Sequence, residues 1–259
     1  MIFVSTPPDE GSVNYDQAAG EYAAHRQVHP GVFRELCERG ALSSGSTILE
    51  VGCGTGNYAR ALVARFGCAA CGIDPSEGML ARACARSAGI PWLLGRAEQL
   101  AFAGGTFDLV FSVDVIHHVA DKPAFYREAA RVLRPSGRLC TATESAEIIR
   151  RREILSSYFP ETVEKELARY PRLAQLESWM LEADLGGPST KLRAGLEVVT
   201  VEAPYEIASA QPFRDKAYSA LHLISEDAWQ AGLERLERDL ARGPVRGVSR
   251  YACVWGQRV

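Results

Sequence analysis

The sequence predicts an α/β fold, a mostly parallel seven-stranded sheet with helices on both faces and an added helical insertion. Three observations predict it. Short apolar runs alternate with segments of helical period between residues 48 and 143. A loop with glycines at alternate positions joins the first apolar run to the first helix that follows it. From residue 145 to 194 the alternation stops, and apolar residues at helical spacing stand among many charges.

Residues 1–13 contain Pro7, Pro8 and Gly11 and read as a flexible leader. Residues 14–42 read as helical, with Tyr15, Tyr22 and Arg26 spaced to share one face. The His29-Pro30 pair should end or kink that helix, because proline disfavours helical geometry in the residue before it. Residues 48–51 form a short buried strand that runs into Gly52-Cys53-Gly54-Thr55-Gly56. Ala59, Leu62, Val63 and Phe66 then recur at helical spacing. Residues 69–73 are a second strand, ending at Asp74-Pro75-Ser76, and Met79 and Leu80 open the next helix. Cys68 and Cys71, three apart in an extended segment, face opposite sides and cannot converge on one metal.

Residues 91–94 are a third strand. Residues 107–113 are a fourth, apolar enough for burial on both faces. Asp114-Val115-Ile116-His117-His118 lies at its carboxyl end, the edge where open α/β sheets bind ligands. A helix over 121–133 stops at Arg134-Pro135-Ser136-Gly137, and 138–143 form a fifth strand. This order implies parallel strands with right-handed crossovers. Residues 145–194 read as two or three helices broken near Pro160 and Pro171. They form either an acceptor-side lid or a dimerisation surface. Residues 196–203 are a sixth strand, and 205–242 a second helical stretch with a helix over 213–223. Ser225 caps a later helix with a Trp229, Leu233, Leu236, Leu240 seam, and 249–255 close the chain as the last strand.

The chain has 259 residues, 47% hydrophobic and 24% charged, with a net charge of −3. That size suits one domain, 14–259, with inserted helices. The absence of a basic footprint argues against a nucleic-acid partner. No apolar run is long enough to span a membrane, and seven scattered cysteines fit reduced thiols, so a cytoplasmic protein is expected.

The glycine loop departs from the dinucleotide fingerprint, since Gly56 follows Gly54 by two residues rather than three. Glu50, just ahead of it, opposes a pyrophosphate and favours a ligand carrying an ammonium group. A zwitterionic, phosphate-free nucleoside therefore fits better than NAD.

Glu50-x-Gly52-x-Gly54-x-Gly56 resembles the first motif of class I S-adenosylmethionine-dependent methyltransferases, and within them the type 11 small-molecule group of ubiquinone and menaquinone methyltransferases. Three later stretches extend the resemblance: Asp74-Pro75-Ser76, Gly95-Arg96-Ala97-Glu98-Gln99-Leu100-Ala101-Phe102, and Ser112 to His118. Leu133-x-Pro135-x-Gly137 adds to it. It implies a Rossmann-like sheet whose final strand inserts antiparallel, with S-adenosylmethionine as cofactor, S-adenosylhomocysteine as product, no metal, and a small-molecule acceptor. Glu50, Gly52, Cys53, Gly54 and Gly56 would cradle the cofactor. Asp74 would hold the ribose hydroxyls, Pro75 would bind the cofactor beside it, and Met79 would pack on the adenine. Tyr15, Tyr22 and Arg26 resemble a lid over the methionine end, with Arg26 meeting the carboxylate. Arg96 stands where the family carries an aspartate, and a guanidinium cannot accept from the adenine amino group. Backbone groups near Ala97, the Glu98 carboxylate or stacking by Arg96 must then read the base. Ser112 and His117 would line the cofactor site, and His117 or His118 would serve as general base or position the acceptor. The Asn-Pro-Pro-Tyr sequence of nucleobase amino methyltransferases is absent. Alternative readings are a protein or nucleic-acid methyltransferase and a cofactor-binding protein without turnover.

Overall fold

The computed structural model describes residues 27–186 and 196–259. The expected leader and the lid residues Tyr15, Tyr22 and Arg26 lie outside the described residues. Seven strands form one sheet in the order β3-β2-β1-β4-β5-β7-β6. They are β1 (Thr47–Val51), β2 (Ala69–Asp74), β3 (Trp92–Leu94), β4 (Phe107–Val113), β5 (Leu133–Thr143), β6 (Glu197–Ile207) and β7 (Val245–Gln257). The first five are parallel, and β7 runs antiparallel between β5 and β6.

The helices of the alternating half are α1 (Pro30–Arg39), α2 (Asn57–Phe66), α3 (Glu77–Arg86) and α4 (Lys122–Val132). His29-Pro30 opens α1. Proline at the first position loses no hydrogen bond, and the His29 ring caps the helix by accepting from the Val32 N–H at 3.2 Å. Val32 and Leu36 of α1 and Leu62 of α2 share one core with Ile48, Leu109 and Cys68. Phe125 and Ala129 of α4 pack in the other core, with Leu49, Val110 and Cys71. Cys68 and Cys71 thus belong to opposite faces of the sheet, as alternation requires. All seven cysteines are free.

The breaker at residues 134–137 does not delay β5. Leu133 already pairs with Phe107, the chain bulges out, and Arg138 resumes pairing opposite Leu109. Ser136 takes a φ of 65° at that bulge. The helical stretch expected from 205 begins later, because β6 continues to Ile207 along its β7 partner. The expected 213–223 helix is two short pieces, α9 (Gln211–Arg214) and a 3-10 turn at Ser219–His222. Lys216, with φ of 47°, breaks them apart.

Among the described residues the insertion after β5 holds four helices, α5 (Ala146–Arg150), α6 (Leu155–Tyr158), α7 (Glu161–Arg169) and α8 (Leu173–Glu182). They divide between two cores. Leu176 and Met180 of α8 are buried in the sheet core beside α4. Ile154, Leu155 and Phe159 instead join Phe213, Leu221, Leu233 and Leu236 in a separate core. Phe159 stacks on Phe213, with centroids 5.6 Å apart. The last helix, α10 (Glu226–Leu240), closes this core; Ser225 caps it by accepting from the Ala228 N–H, and a Cβ on Gly232 would stand 2.4 Å from the Phe159 ring. The two helical stretches are therefore joined by a core of their own. Phe159 and Trp179 are packing residues, whereas Tyr170 approaches the histidines of the β4 edge.

Candidate functional site

The site gathers at the carboxyl ends of β1, β2 and β4. Gly52, Gly54 and Gly56 all take positive φ, at 68°, 51° and 73°. The outer two are required by packing as well. A Cβ on Gly52 would stand 2.4 Å from Val115, and one on Gly56 would stand 2.3 Å from the Trp92 ring. A Cβ on Gly54 would meet nothing within 4 Å, so the middle of the loop faces open space. Arg86 braces the loop from α3, donating to Thr55 and Asn57 at 3.2 Å each.

Asp74 ends β2 and is buried. Its Oδ2 accepts from the Gly54 N–H at 2.8 Å, and its Oδ1 from the Ser76 N–H at 2.9 Å. The carboxylate thus ties the glycine loop to the start of α3. Ser76 caps α3 through the Met79 N–H, burying Met79 and leaving Pro75 exposed.

Glu50 is buried at the foot of the loop, and its Oε2 accepts from the Ala59 N–H in the first turn of α2. Burial pushes its carboxyl up to about 8, partly offset by that bond and reinforced by the Asp74 charge. The acid read from sequence as a fixed anion is therefore largely protonated at neutral pH. Cys53 beside it is buried, and burial with the two carboxylates pushes its thiol far up, so it is not a thiolate nucleophile.

The raised Glu50 value sets a pH effect. The folded protein holds a proton that the unfolded chain releases above about 4.5. Its contribution to stability falls as pH rises from that value and is fully unfavourable above about 8. Glu50→Gln keeps the acceptor for Ala59 and removes the titration. Its melting temperature relative to the parent should climb between pH 5 and 8, with a gain of roughly 1–3 kcal/mol at the upper end. A difference that stays flat across that range would show that Glu50 does not hold the proton.

On β3 and beyond, Ala97 is partly buried against the sheet core. The Glu98 Oε1 accepts from the Ala120 N–H at 2.9 Å, bracing the turn ahead of α4. The largely exposed Arg96 lies 3.6 Å from Glu98 Oε2. This pair is engaged with each other and with the α4 turn.

At the end of β4, Ser112 is buried, and its hydroxyl has no hydrogen-bond partner among the described residues. Val115 packs on Gly52, and a 3-10 turn at Ile116–His118 carries both histidines, with ring centroids 3.9 Å apart. His117 is buried and stacks on Tyr170 with centroids 4.0 Å apart. His118 points outward, with Nδ1 3.4 Å from an Arg169 guanidinium nitrogen. The sequence did not distinguish these neighbours; the turn does.

Three further groups had no sequence signal except position. Asp114 takes a φ of 59° and accepts from the Tyr251 hydroxyl of β7 at 2.5 Å. The His29 ring stands edge-on to Tyr251, 5.0 Å away. Under the cap, Arg152 bridges Glu144 at 3.0 Å and Glu166 at 2.5 Å. Among the described residues no group of three His, Cys, Asp or Glu side chains is placed to hold a metal ion.

Comparison with known proteins adds the following. Residues 49–141 match the family described as "Methyltransferase domain". A ubiquinone biosynthesis O-methyltransferase of Rhizobium rhizogenes is 41% identical over 103 residues, 38% of this chain and 41% of that protein. A malonyl-[acyl-carrier protein] O-methyltransferase of Serratia marcescens is 34% identical over 132 residues, 51% of each. The chain thus spans about half or less of the curated relatives it matches. An Anabaena variabilis structure, described as a methyltransferase from an antibiotic biosynthesis pathway, superposes with a TM-score of 0.71 at 24% identity, covering 87% of this chain and 96% of that one. That likeness carries the fold. Residues 49–141 therefore match the methyltransferase-domain family, and the sheet around them has the fold of the methyltransferase structure it superposes on.

Proposed function

We propose that this protein transfers the methyl group of S-adenosylmethionine to a small-molecule acceptor, releasing S-adenosylhomocysteine. The observation that carries this reading is the Asp74–Gly54 pairing. It sets a carboxylate beside a glycine whose side is open. A ribose diol suits that arrangement, and a pyrophosphate next to the Asp74 carboxylate does not. S-adenosylmethionine supplies an electrophilic methyl group on a sulfonium. The chain's own residues supply alignment and exclusion of water.

In this reading Glu50 and the Gly52–Gly54–Gly56 loop face the methionine end, and the buried Ser112 hydroxyl gives a further partner there. Met79, Pro75 and Ala97 surround the base, and Glu98 braces that wall. Tyr15, Tyr22 and Arg26 close the site as a lid, and His117 and His118 shape its acceptor side. A bound ammonium or sulfonium favours the ionised form of Glu50, so binding near pH 7 releases protons. Residues 14–259 act as one unit in the cytoplasm, with the helices after β5 and β6 covering the acceptor. No described helix is long and apolar enough to cross a membrane.

Calorimetric titration with S-adenosylmethionine and S-adenosylhomocysteine, with NAD as control, tests the reading. Saturable binding of both sulfur nucleosides is expected, with heats that depend on the buffer's ionisation enthalpy. Binding of NAD alone, or of none of the three by folded protein, would overturn it.

A further inference from the structure

We infer that the acceptor carries a carbonyl or carboxylate oxygen that is not the atom methylated, and that Arg152, Arg169 and Thr143 hold it under the cap. The inference rests on the methyl-transfer reading above and goes beyond it in naming a recognition group and the residues that read it.

Arg152 and Arg169 come from different cap elements and meet at one carboxylate. Arg152 lies in the turn between α5 and α6, and Arg169 is the last residue of α7. The buried Glu166 accepts from Arg152 Nη1 at 2.5 Å on one oxygen, and its other oxygen lies 3.7 Å from Arg169 Nη1. Arg152 also donates to Glu144 at 3.0 Å and, through Nε, to Ser156 Oγ at 3.2 Å. Its Nη2 is buried and has no hydrogen-bond partner among the described residues. Arg169 Nη1 is in the same condition, since 3.7 Å is too long for a hydrogen bond. The Thr143 hydroxyl, at the end of β5 and next in sequence to Glu144, is fully buried and likewise unpartnered. Buried polar groups are nearly always paired, and a charged donor left without an acceptor is costly. Three such atoms around the Glu144–Arg152–Glu166 cluster mark a place built for a partner.

That place adjoins the proposed acceptor side. Arg169 directly precedes Tyr170, whose ring stacks on His117, and its Nη2 lies 3.4 Å from His118 Nδ1. The histidine turn begins directly after Val115, the residue that Gly52 packs against. The turn therefore stands between the glycine loop and Arg169. A group held by the arginines is set off from the loop by that turn, so it is not the atom that receives the methyl group.

The donors decide what the partner must be. A guanidinium donates and cannot accept, so an amine or ammonium N–H does not satisfy it. Its planar fork suits carbonyl and carboxylate oxygens. A phosphate dianion would be repelled more strongly by the Glu166 carboxylate that the two arginines share. The Thr143 hydroxyl can donate to an oxygen as the guanidiniums do. Holding this oxygen fixes the far end of the acceptor and lines up its reacting atom with the sulfonium methyl.

The test titrates benzoate, acetophenone and benzylamine into protein saturated with S-adenosylhomocysteine, with binding read by ligand-observed NMR. Benzoate or acetophenone is expected to bind, and benzylamine is not. Tighter binding of benzoate assigns a carboxylate, and equal or tighter binding of acetophenone assigns a carbonyl. Arg169→Gln should weaken the better probe by about tenfold and Thr143→Val by about threefold, with S-adenosylhomocysteine affinity unchanged. Arg169→Lys, which keeps the charge, should recover part of the affinity lost in Arg169→Gln, an effect that loosened packing alone does not give. Arg152 is left in place because it also ties the cap together, and thermal unfolding checks that each variant is folded. Benzylamine bound in preference, no probe bound, or folded Arg169→Gln binding the better probe within about twofold of the parent would each overturn the inference. Failure of the parent protein to bind S-adenosylhomocysteine would overturn the cofactor reading itself, while the same titration on cofactor-free protein still reads the arginine site.

Discussion

Replacing Arg152 by methionine is expected to destabilise the protein by about 3–5 kcal/mol, the usual cost of removing one partner from a buried ion pair. The side chain of Glu166 is 2% exposed and that of Arg152 14%, so solvent cannot take over the lost partner. Arg152 also donates to Ser156 Oγ at 3.2 Å, and it links Glu144 beyond β5 to Glu166 on α7. Loss of the guanidinium leaves two carboxylates facing each other in a place with little water. Methionine retains most of the volume, so the loss reports on charge rather than on a cavity. Adding Glu166→Gln to Arg152→Met should recover part of the stability, because the uncompensated charge is gone. Urea unfolding at neutral pH measures both variants. A loss under about 1 kcal/mol, the level of surface pairs, would mean that water reaches the cluster.

Asp74→Ala is expected to weaken S-adenosylhomocysteine binding by about 10²–10⁴-fold, from the loss of two charge-assisted hydrogen bonds of about 1.5–3 kcal/mol each. The effect has a second source. Asp74 holds the Gly54 and Ser76 N–H groups, so its removal loosens the glycine loop and the α3 cap together. Asp74→Asn separates these contributions. One amide oxygen still accepts from the loop, while the charge and one acceptor are lost. Its binding should fall between the parent and the alanine variant. Calorimetry gives the affinities, and thermal unfolding of the ligand-free proteins gives the structural part. Equal affinity in the parent and Asp74→Ala would remove the ribose assignment.

Much of the alternating half was legible because its signals are local. The run at 107–113 is apolar enough to be a buried strand, and β4 has those bounds. Cys68 and Cys71 were placed on opposite faces by strand alternation alone. The glycines declared a loop, although only packing shows that Gly52 and Gly56 are held by Val115 and Trp92 while Gly54 is open. His29-Pro30 was read as a break, and the structure adds that the helix after it starts on the proline. The 205 boundary failed because strand pairing with β7 extends β6 past the point where local alternation fades.

The sequence by itself determined the strand–helix alternation, the glycine loop and the acid at the end of β2, since each follows from periodicity, glycine placement or a residue at a strand end. Tertiary structure decided what depends on distant partners. Tyr251 meets Asp114 across 137 positions, and no local pattern pairs them. Arg150, Arg151 and Arg152 are equivalent in sequence, yet Arg152 alone is buried between Glu144 and Glu166. The Glu50 carboxyl is an ordinary acid in the sequence and a protonated one in the fold, because only burial raises the cost of its charge.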